Sequence, residues 1–155
     1  MGIGYVDSII LYNRYFNDTL EVETYFGTRF DNVRVELTQG ANIKASGIEN
    51  ADACVAKIAN DSNLPNPYMP PEVWNDQTTE VMEQNFTIDT ANENFFVIAK
   101  KPELNIDLDL PVGAIESDTY RGGYFQHIKE KYGHAYLIDT LNVYNLIPRF
   151  EIGGK

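Results

Sequence analysis

The sequence has almost no cysteine. Cys54 is the single one among 155 residues, so no disulfide can form within the chain. The only basic residue close to it is Lys57, whereas a reactive thiolate needs a positive neighbourhood. We therefore expect Cys54 to be a small buried hydrophobic residue rather than a nucleophile.

Positive charge is also scarce. The chain has 12 Lys and Arg against 23 Asp and Glu, which gives a net charge of -11. Such a chain repels nucleic acid unless it has a local basic patch. The densest basic stretches, Lys100-Lys101 and residues 129–131, are too sparse to form one. The charge indicates either a surface adapted for solubility or a surface, such as a channel lining, past which DNA slides without sticking.

Long apolar runs are missing, and with a mean hydropathy of -0.33 this excludes a membrane-spanning helix. Residues 1–4 contain no basic segment, and the apolar residues 9–11 are followed at once by polar ones. We therefore expect no signal peptide.

Recognisable catalytic motifs are missing too. The sequence has no Gly-rich phosphate loop, no H-E-x-x-H, no cysteine cluster and no Gly-x-Ser-x-Gly elbow. We expect a protein that is not an enzyme and that has no catalytic residue, cofactor or metal.

What the sequence does have is aromatic and β-branched residues in short runs. Tyr and Phe number 18, and they favour sheets over helical bundles. The length suits one domain, residues 1–155, with a core that needs no metal or disulfide.

The N-terminal third predicts a three-stranded meander. Residues 6–16 and 21–26 are rich in aromatic and branched side chains, and Val33, Val35 and Leu37 alternate with polar residues. The expected turns are Asn17-Asp18, Asp31-Asn32 and Gln39-Gly40. Residues 51–59 favour a further strand, although Ala and Lys there also suit a short helix.

Later segments predict more strands and one helix. The strands are expected at residues 86–89, 95–99, 106–110 and 134–144, with a short edge strand at 148–152. The helix is expected near residues 119–132 and to start close to Gly123, with Ser117 or Asp118 as its N-cap and Gly133 at its end. The fold class is therefore mainly β, a barrel or sandwich of about eight short strands with one inserted α-helix.

Residues 60–84 predict a long Pro-rich loop, because Pro65, Pro67, Pro70 and Pro71 block a central strand. A loop of this length is uncommon in a compact domain and often functional. Within it, residues 71–83 also suit a short surface helix. Its large side chains either fold back over the core or contact a neighbouring subunit. These side chains are Tyr68, Met69 and Trp74, the only Trp of the chain.

A few residues invite a chemical interpretation. His127 and His134, with Asp139 as a third ligand, suit a metal pair, although a structural or solvated role is favoured. Asp107 and Asp109 share one face of a predicted strand, where they suit Ca²⁺ binding, acid–base chemistry or plain solvation, of which solvation is favoured.

The order of segments along the chain resembles a known family. These segments are residues 10–15, 51–58, 68–74, 86–88, 128–133, 135–143 and 150–155. They are similar to those of small proteins encoded in the head–tail module of tailed phages of Gram-positive hosts. Members of that family begin with a LYNRY-like strand and end with an aromatic–x–Val/Ile–Gly–Gly–Lys tail. This chain departs from them in having Phe150 in place of a Trp, and an uncharged turn at residues 144–147 in place of a more basic one.

The resemblance implies a structural virion protein, a head-closure or stopper ring subunit in the neck that joins the portal or adaptor to the tail around the DNA channel. Its expected partners are copies of itself (a hexamer favoured, a dodecamer possible), portal or adaptor proteins, and tail terminator or tail-tube proteins. DNA would pass without sequence-specific binding, and no membrane is involved. The expected location is the virion neck, after assembly in the bacterial cytoplasm. The residues expected at subunit or partner contacts are Tyr68, Met69, Trp74, Arg149, Phe150, Ile152 and Lys155.

Three alternatives remain open at this point. One is a tail terminator or adaptor ring protein. Another is a small β-sandwich module that binds carbohydrate or protein through exposed Tyr and Trp. The last is a hydrolase that uses Asp107 and Asp109 or His127, which would require a deep pocket where these groups converge.

Overall fold

The computed structural model describes residues 5–38 and 53–155, and these ranges confirm the mainly β class. The predicted turn at Gln39-Gly40 and the first two residues of the predicted strand at 51–59 lie outside them. Eight strands are present in the described ranges: β1 Asp7–Asn17, β2 Val22–Leu37, β3 Cys54–Ala59, β4 Phe95–Lys101, β5 Ile106–Asp107, β6 Gly113–Glu116, β7 Ala135–Tyr144 and β8 Arg149–Gly154.

Six of these strands close into a barrel. β1 pairs with β2 on one side and with β4 on the other, so the order β1-β2-β3-β8-β7-β4 returns to its start. Every pair of strands is antiparallel. Outside the ring, β5 adds to β4 and β6 adds to β2. Of the two predicted architectures, the structure is therefore the barrel, in which closure removes most of the exposed strand edges.

The interior of the barrel is packed with side chains. Alternate residues of the strands point inward and form one buried cluster, which includes Ile9, Leu11, Phe30, Phe96 and Ile152. Side chains can just fill the interior of an eight-stranded barrel, and a barrel of six strands is narrower still. Its centre is a core and not a channel.

β1 is buried on both faces, which explains its continuous apolar run. Ile9 and Leu11 face the barrel core, whereas Ile10 and Tyr12 face outward into a second cluster. That cluster is covered by a helix, α3 Tyr124–Tyr132. Two-sided burial removes the alternation expected of a strand with one solvated face.

The helix α3 lies inside its predicted range and starts where Gly123 predicted. Ser117 stands seven residues before Tyr124, and its Oγ accepts the Tyr124 N–H at 2.9 Å. The helix ends at Gly133, whose φ of 83° suits glycine and whose N–H bonds to the Lys129 carbonyl. The prediction of Ser117 or Asp118 as N-cap is wrong, because Gly123 is the N-cap and both predicted residues lie in a preceding 3₁₀ turn, Ser117–Thr119.

The predicted turn at Asp31-Asn32 is wrong, because β2 continues through it as a single strand of 16 residues. The pair is instead a bulge: Ile9 pairs with Phe30 and Asp7 pairs with Val33, and Asn32 has a φ of 60°. The Ser8 hydroxyl donates to Asp31 Oδ1 at 2.6 Å, and this hydrogen bond lowers the pKa of Asp31. Asp and Asn suit both turns and bulges. The pair therefore correctly indicated an irregular backbone at this point, but the chain does not reverse its direction there.

The Pro-rich segment contains two short helices, α1 Pro71–Trp74 and α2 Thr79–Gln84. Pro71 occupies the first helical position of α1, and Thr78 Oγ1 accepts the Val81 N–H at the start of α2. The alternative of helix within residues 71–83 is thus confirmed, but as two pieces. None of the helices in the described part of the chain is long and apolar enough to cross a membrane.

The predicted strand at residues 86–89 is wrong, and a side chain explains why. Asn13 Nδ2 donates to the Thr87 carbonyl at 2.6 Å, and the Thr87 N–H donates to Asn13 Oδ1 at 3.1 Å. An amide side chain of β1 thus takes the place of a ladder partner. Phe86 and Ile88 then pack into the barrel core without belonging to the ladder, apart from one bridge between Phe86 and Tyr68.

Two further strand predictions need correction. The expected strand at 106–110 shortens to Ile106–Asp107, and β6 follows where no strand was predicted. The strand expected at the edge, 148–152, is β8, which lies between β3 and β7 and extends to Gly154. Position in the sheet depends on which strands meet, and that information is not local to the segment.

Candidate interaction surface

The β7–β8 hairpin ends in an apolar tip. Tyr144 pairs with Arg149, so residues 145–148 form the connecting loop. Leu146 is 98% exposed and Ile147 is 70% exposed, and Val143 and Tyr144 beside them are also exposed. We call residues 143–148 the hairpin tip. Exposed aliphatic side chains are ordinary when scattered singly, but a contiguous group at one projecting point indicates a contact surface.

The base of the hairpin tip is held in place. The Arg149 guanidinium lies over the Tyr144 ring at 4.3 Å, and the Asn60 N–H donates to the Pro148 carbonyl at 3.0 Å. One contact ties the two strands of the hairpin together, and the other ties the loop to the end of β3. The tip is therefore presented from a fixed root, which lowers the conformational entropy lost on binding.

Charged side chains form ion pairs on the outer surface of β2, β3 and β8. Glu36 lies 3.1 Å from Arg34 and 3.4 Å from Lys57, and Arg149 lies 3.7 Å from Glu151. These pairs are partly exposed, so each contributes little to stability. Of these charged residues, Arg149 lies nearest to the tip, because it pairs with Tyr144 at the root of the hairpin.

Two of the predicted contact residues, Tyr68 and Met69, are half-buried. The Tyr68 ring packs against Phe150 and Phe86 with centroids 4.9 and 5.4 Å away. Met69 packs against the small cluster that contains Trp74. Both side chains thus mainly cover the core, the first of the two roles that the sequence left open.

Trp74 takes the first of these two roles as well, because its side chain lies in the core of the described structure. Trp74 is 1% exposed and packs edge-on against Phe26 at 5.8 Å, with Met82 beside it. Its Nε1–H donates to the Met82 carbonyl at 3.3 Å. Trp74 joins α1 and α2 to Phe26 of β2. Its ring is buried there and its N–H has a hydrogen-bond partner, which are the two requirements of a buried indole.

Of the C-terminal residues predicted as contacts, some lie in the core and others at the surface. Phe150 and Ile152 belong to the barrel core, at 1% and 0% exposure, so their side chains present no surface in the described structure. Lys155 Nζ lies 3.0 Å from Asp139 Oδ2, and its backbone pairs with Leu137. Of the terminal set, Arg149 alone borders the hairpin tip.

The residues considered for chemistry are spread over the surface. His127 stacks on Tyr120 at 4.7 Å, and His134 Nδ1 lies 3.1 Å from the Tyr136 hydroxyl. Asp107 and Asp109 are both exposed. Within residues 5–38 and 53–155, no group of three or more His, Cys, Asp or Glu could hold a metal ion.

The strongest electrostatic perturbations belong to a buried tyrosine cluster. The Tyr124 hydroxyl donates to the Tyr12 hydroxyl at 2.9 Å, and the Tyr12 hydroxyl donates to the Pro111 carbonyl at 2.7 Å. Burial raises the pKa of Tyr124 to about 12 and raises the pKa of Tyr12 and Tyr25 further. These hydroxyls join α3 and the segment before β6 to the barrel wall, which is a structural arrangement.

One protein family matches almost the entire chain. Its model covers residues 5–155 and is described as a family of unknown function, DUF6751. The chain belongs to this family. No curated protein and no solved structure matches it. The family description says nothing about function, so the phage resemblance stays an expectation.

For this DUF6751 member, the contact residues predicted from the sequence do not include Leu146 and Ile147 of the hairpin tip. The signal was present, since Leu146 and Ile147 lie between Asn145 and Pro148, where a turn would ordinarily be polar. A turn normally exposes its side chains, so two adjacent aliphatic residues within one are informative. The resemblance implied a partner-ring contact for the turn at residues 144–147, and it marked this chain's uncharged turn as a departure from the family's basic one.

Proposed function

We propose that this protein is a non-catalytic assembly subunit that binds other subunits through its hairpin tip. One observation carries the proposal: an uncharged, exposed, apolar tip projects from a barrel with a net charge of -11. Residues 140–148 contain no charged side chain. Exposure of such a surface to water is unfavourable, and the free energy falls when a partner covers it.

In its specific form, the proposal is a ring subunit of a virion neck that closes the head and joins the portal or adaptor to the tail. The phage resemblance supports this form, with a tail terminator or adaptor ring as the related alternative. The partners proposed are copies of the chain, most simply six, and the proteins above and below them. Since side chains fill the barrel, the channel of such a ring would lie between subunits and not through one.

The charge distribution supports a lining that DNA passes without sticking. Residues 58–99 contain seven Asp and Glu and no Lys or Arg. The exposed ones on and between α1 and α2 are Glu72, Asp76, Glu80 and Glu83. An acidic wall repels phosphates at short range and keeps DNA mobile.

A small binding module is the second candidate, because one groove suits it. The groove measures about 540 Å³ and is lined by Tyr68, Asp89, Thr90, Thr140 and Asn142, among others. An aromatic ring beside carboxylate, amide and hydroxyl groups is a combination that binds sugars or polar peptides. A glycan screen tests this candidate, which requires binding by a monomer and its loss in Asn142→Ala.

The experiment for the first candidate measures the mass of the purified protein in solution, alone and mixed with candidate portal or tail-tube proteins. The wild type is expected to assemble, by itself or on a partner. The tip variant L146D/I147D is expected to stay monomeric under the same conditions, because two carboxylates would have to be buried without partners.

The matched control places the same two charges elsewhere. Leu20 and Val112 are exposed at 69% and 55%, and both lie away from the tip in sequence. L20D/V112D is expected to assemble like the wild type. A wild type that stays monomeric alone and in every mixture would contradict the assembly proposal and favour the binding module.

A further inference from the structure

A second apolar surface lies at the opposite end of β7. A groove of about 240 Å³ is lined by Ile98, Ile106, Leu108, Tyr132 and His134, with polar residues at its border. Ile106, Leu108 and Tyr132 are only partly buried, and Leu104 close by is 43% exposed. We call this surface the β5 groove, after the strand at its edge. It is smaller than a typical pocket for a drug-sized ligand, but it suits aliphatic side chains.

The hairpin tip and the β5 groove are separated by the length of one strand. His134, in the groove, directly precedes Ala135, the first residue of β7, whereas the tip begins at Val143 and extends past the last residue, Tyr144. Ten residues at about 3.3 Å each span about 30 Å. The chain therefore has an apolar projection at one end and an apolar depression at the other.

We propose that the partner of the hairpin tip is a second copy of this chain, with Leu146 and Ile147 of one copy inserting into the β5 groove of the next. This inference rests on the proposed assembly function and names its contact. A projection and a depression at opposite ends make a heterologous, head-to-tail interface. Repetition of such a contact closes into a ring or continues as a filament, whereas a tip-to-tip contact would stop at a dimer.

The charges favour this pairing over most other contacts between copies. Two copies that each carry a net charge of -11 repel each other over most of their surface. The hairpin tip is uncharged, and the groove border carries one acid and one base, Asp107 and Lys131. Tip and groove are therefore surfaces through which two copies can approach with little repulsion.

Site-specific cross-linking tests the geometry. Leu146→Cys and Asp107→Cys place reactive thiols on the tip and the groove border, at exposed positions where folding is not at risk. The native Cys54 is buried and does not compete for the reagent. A short bis-maleimide is expected to link the double variant into a ladder of oligomers. A mixture of the two single variants is expected to give one cross-linked dimer and no ladder.

The outcomes separate this inference from the proposal on which it rests. A chain with Leu20→Cys and Asp107→Cys is the control, and it is expected to give no ladder. Dimers from Leu146→Cys alone would indicate a tip-to-tip contact and overturn the head-to-tail inference. Absence of cross-links above the control would also overturn it, whereas assembly on a portal or tail partner, measured by mass, would still uphold the assembly function.

Discussion

At the scale of single residues, Asn13 fixes the position of a distant segment, which its amino-acid type does not predict. It is fully buried in β1, and its side chain bonds to the backbone of Thr87 and to the side chain of Asn94. Both hydrogen-bonding ends of one amide are thereby used, which is the condition under which a polar group is tolerated in a core. The residue fixes a segment that would otherwise need a strand partner.

Asn13→Leu is therefore expected to lower the free energy of unfolding by about 2–3 kcal/mol, because the Thr87 backbone groups lose their partner while buried. Urea denaturation followed by circular dichroism measures the change. Asn142→Leu, at an exposed position of β7, is the matched control and should stay within about 0.5 kcal/mol of the wild type. A loss as small for Asn13→Leu as for this control would contradict the role assigned to the amide.

The buried tyrosines predict a loss of stability at alkaline pH. Burial raises the pKa of Tyr124 and of Tyr136 to about 12, whereas an unfolded tyrosine ionises near pH 10. Above about pH 10 the unfolded state therefore binds fewer protons than the folded state, and stability falls as the pH rises. The stabilisation is complete below about pH 10 and is lost progressively as the pH rises towards about 12.

Chemical denaturation across this pH range, with tyrosinate absorbance recorded in parallel, is the measurement. Tyr124→Phe removes one of the groups and is expected to make the alkaline loss smaller. If every tyrosine of the folded protein ionised in one step near the ordinary pKa, the burial argument would be wrong.

At the scale of elements, β8 shows why its last residue, Gly154, is a glycine. A Cβ on Gly154 would lie 2.8 Å from Tyr136 Cβ and 2.9 Å from the Leu137 carbonyl oxygen. β8 pairs with both β3 and β7, and β7 bulges at Asp139 where it passes this glycine. Close approach of two backbones needs a residue without a side chain.

Gly154→Ala is expected to lower the free energy of unfolding by about 1–3 kcal/mol, since the added methyl meets a backbone oxygen and the Cβ of Tyr136, neither of which can move aside easily. The change is read from the midpoint of denaturant unfolding. Gly133→Asn serves as the comparison: no atom lies within 4 Å of its Cβ position, and asparagine tolerates positive φ. A smaller effect at Gly154 than at Gly133 would contradict the packing argument.

At the scale of the whole molecule, net charge and surface shape have opposite effects on the association of copies. The net charge of -11 keeps copies apart, whereas the hairpin tip and the β5 groove favour contact. An interface built on ion pairs weakens with salt, but an apolar contact between like-charged bodies strengthens as repulsion is screened. The sign of the salt effect therefore identifies which kind of contact dominates.

Association is expected to increase when the ionic strength rises from about 0.01 M to about 0.15 M, as the Debye length falls from about 30 Å to about 8 Å. Sedimentation velocity at the two salt concentrations measures it, and L146D/I147D should show no such increase. Weaker association of the wild type at the higher salt concentration would indicate an ionic interface and argue against the tip.

The sequence by itself determined the fold class and most of its elements. Aromatic and branched runs located β1, β3, β4 and β7, and Gly123 and Gly133 located the two ends of α3, because these preferences depend on neighbours in the chain. The negative charge, the lone cysteine and the absence of known motifs also needed no structure.

The tertiary structure alone decided the closure of the barrel, the central place of β8 and the burial of Trp74. Each depends on contacts between distant segments, and an amino-acid type does not reveal which surface of the chain will cover it. For the same reason, residues chosen as contacts for their type, such as Phe150, are in the core, whereas Leu146 and Ile147 are exposed. The hairpin places them beyond the end of the barrel, where no other described part of the chain covers them.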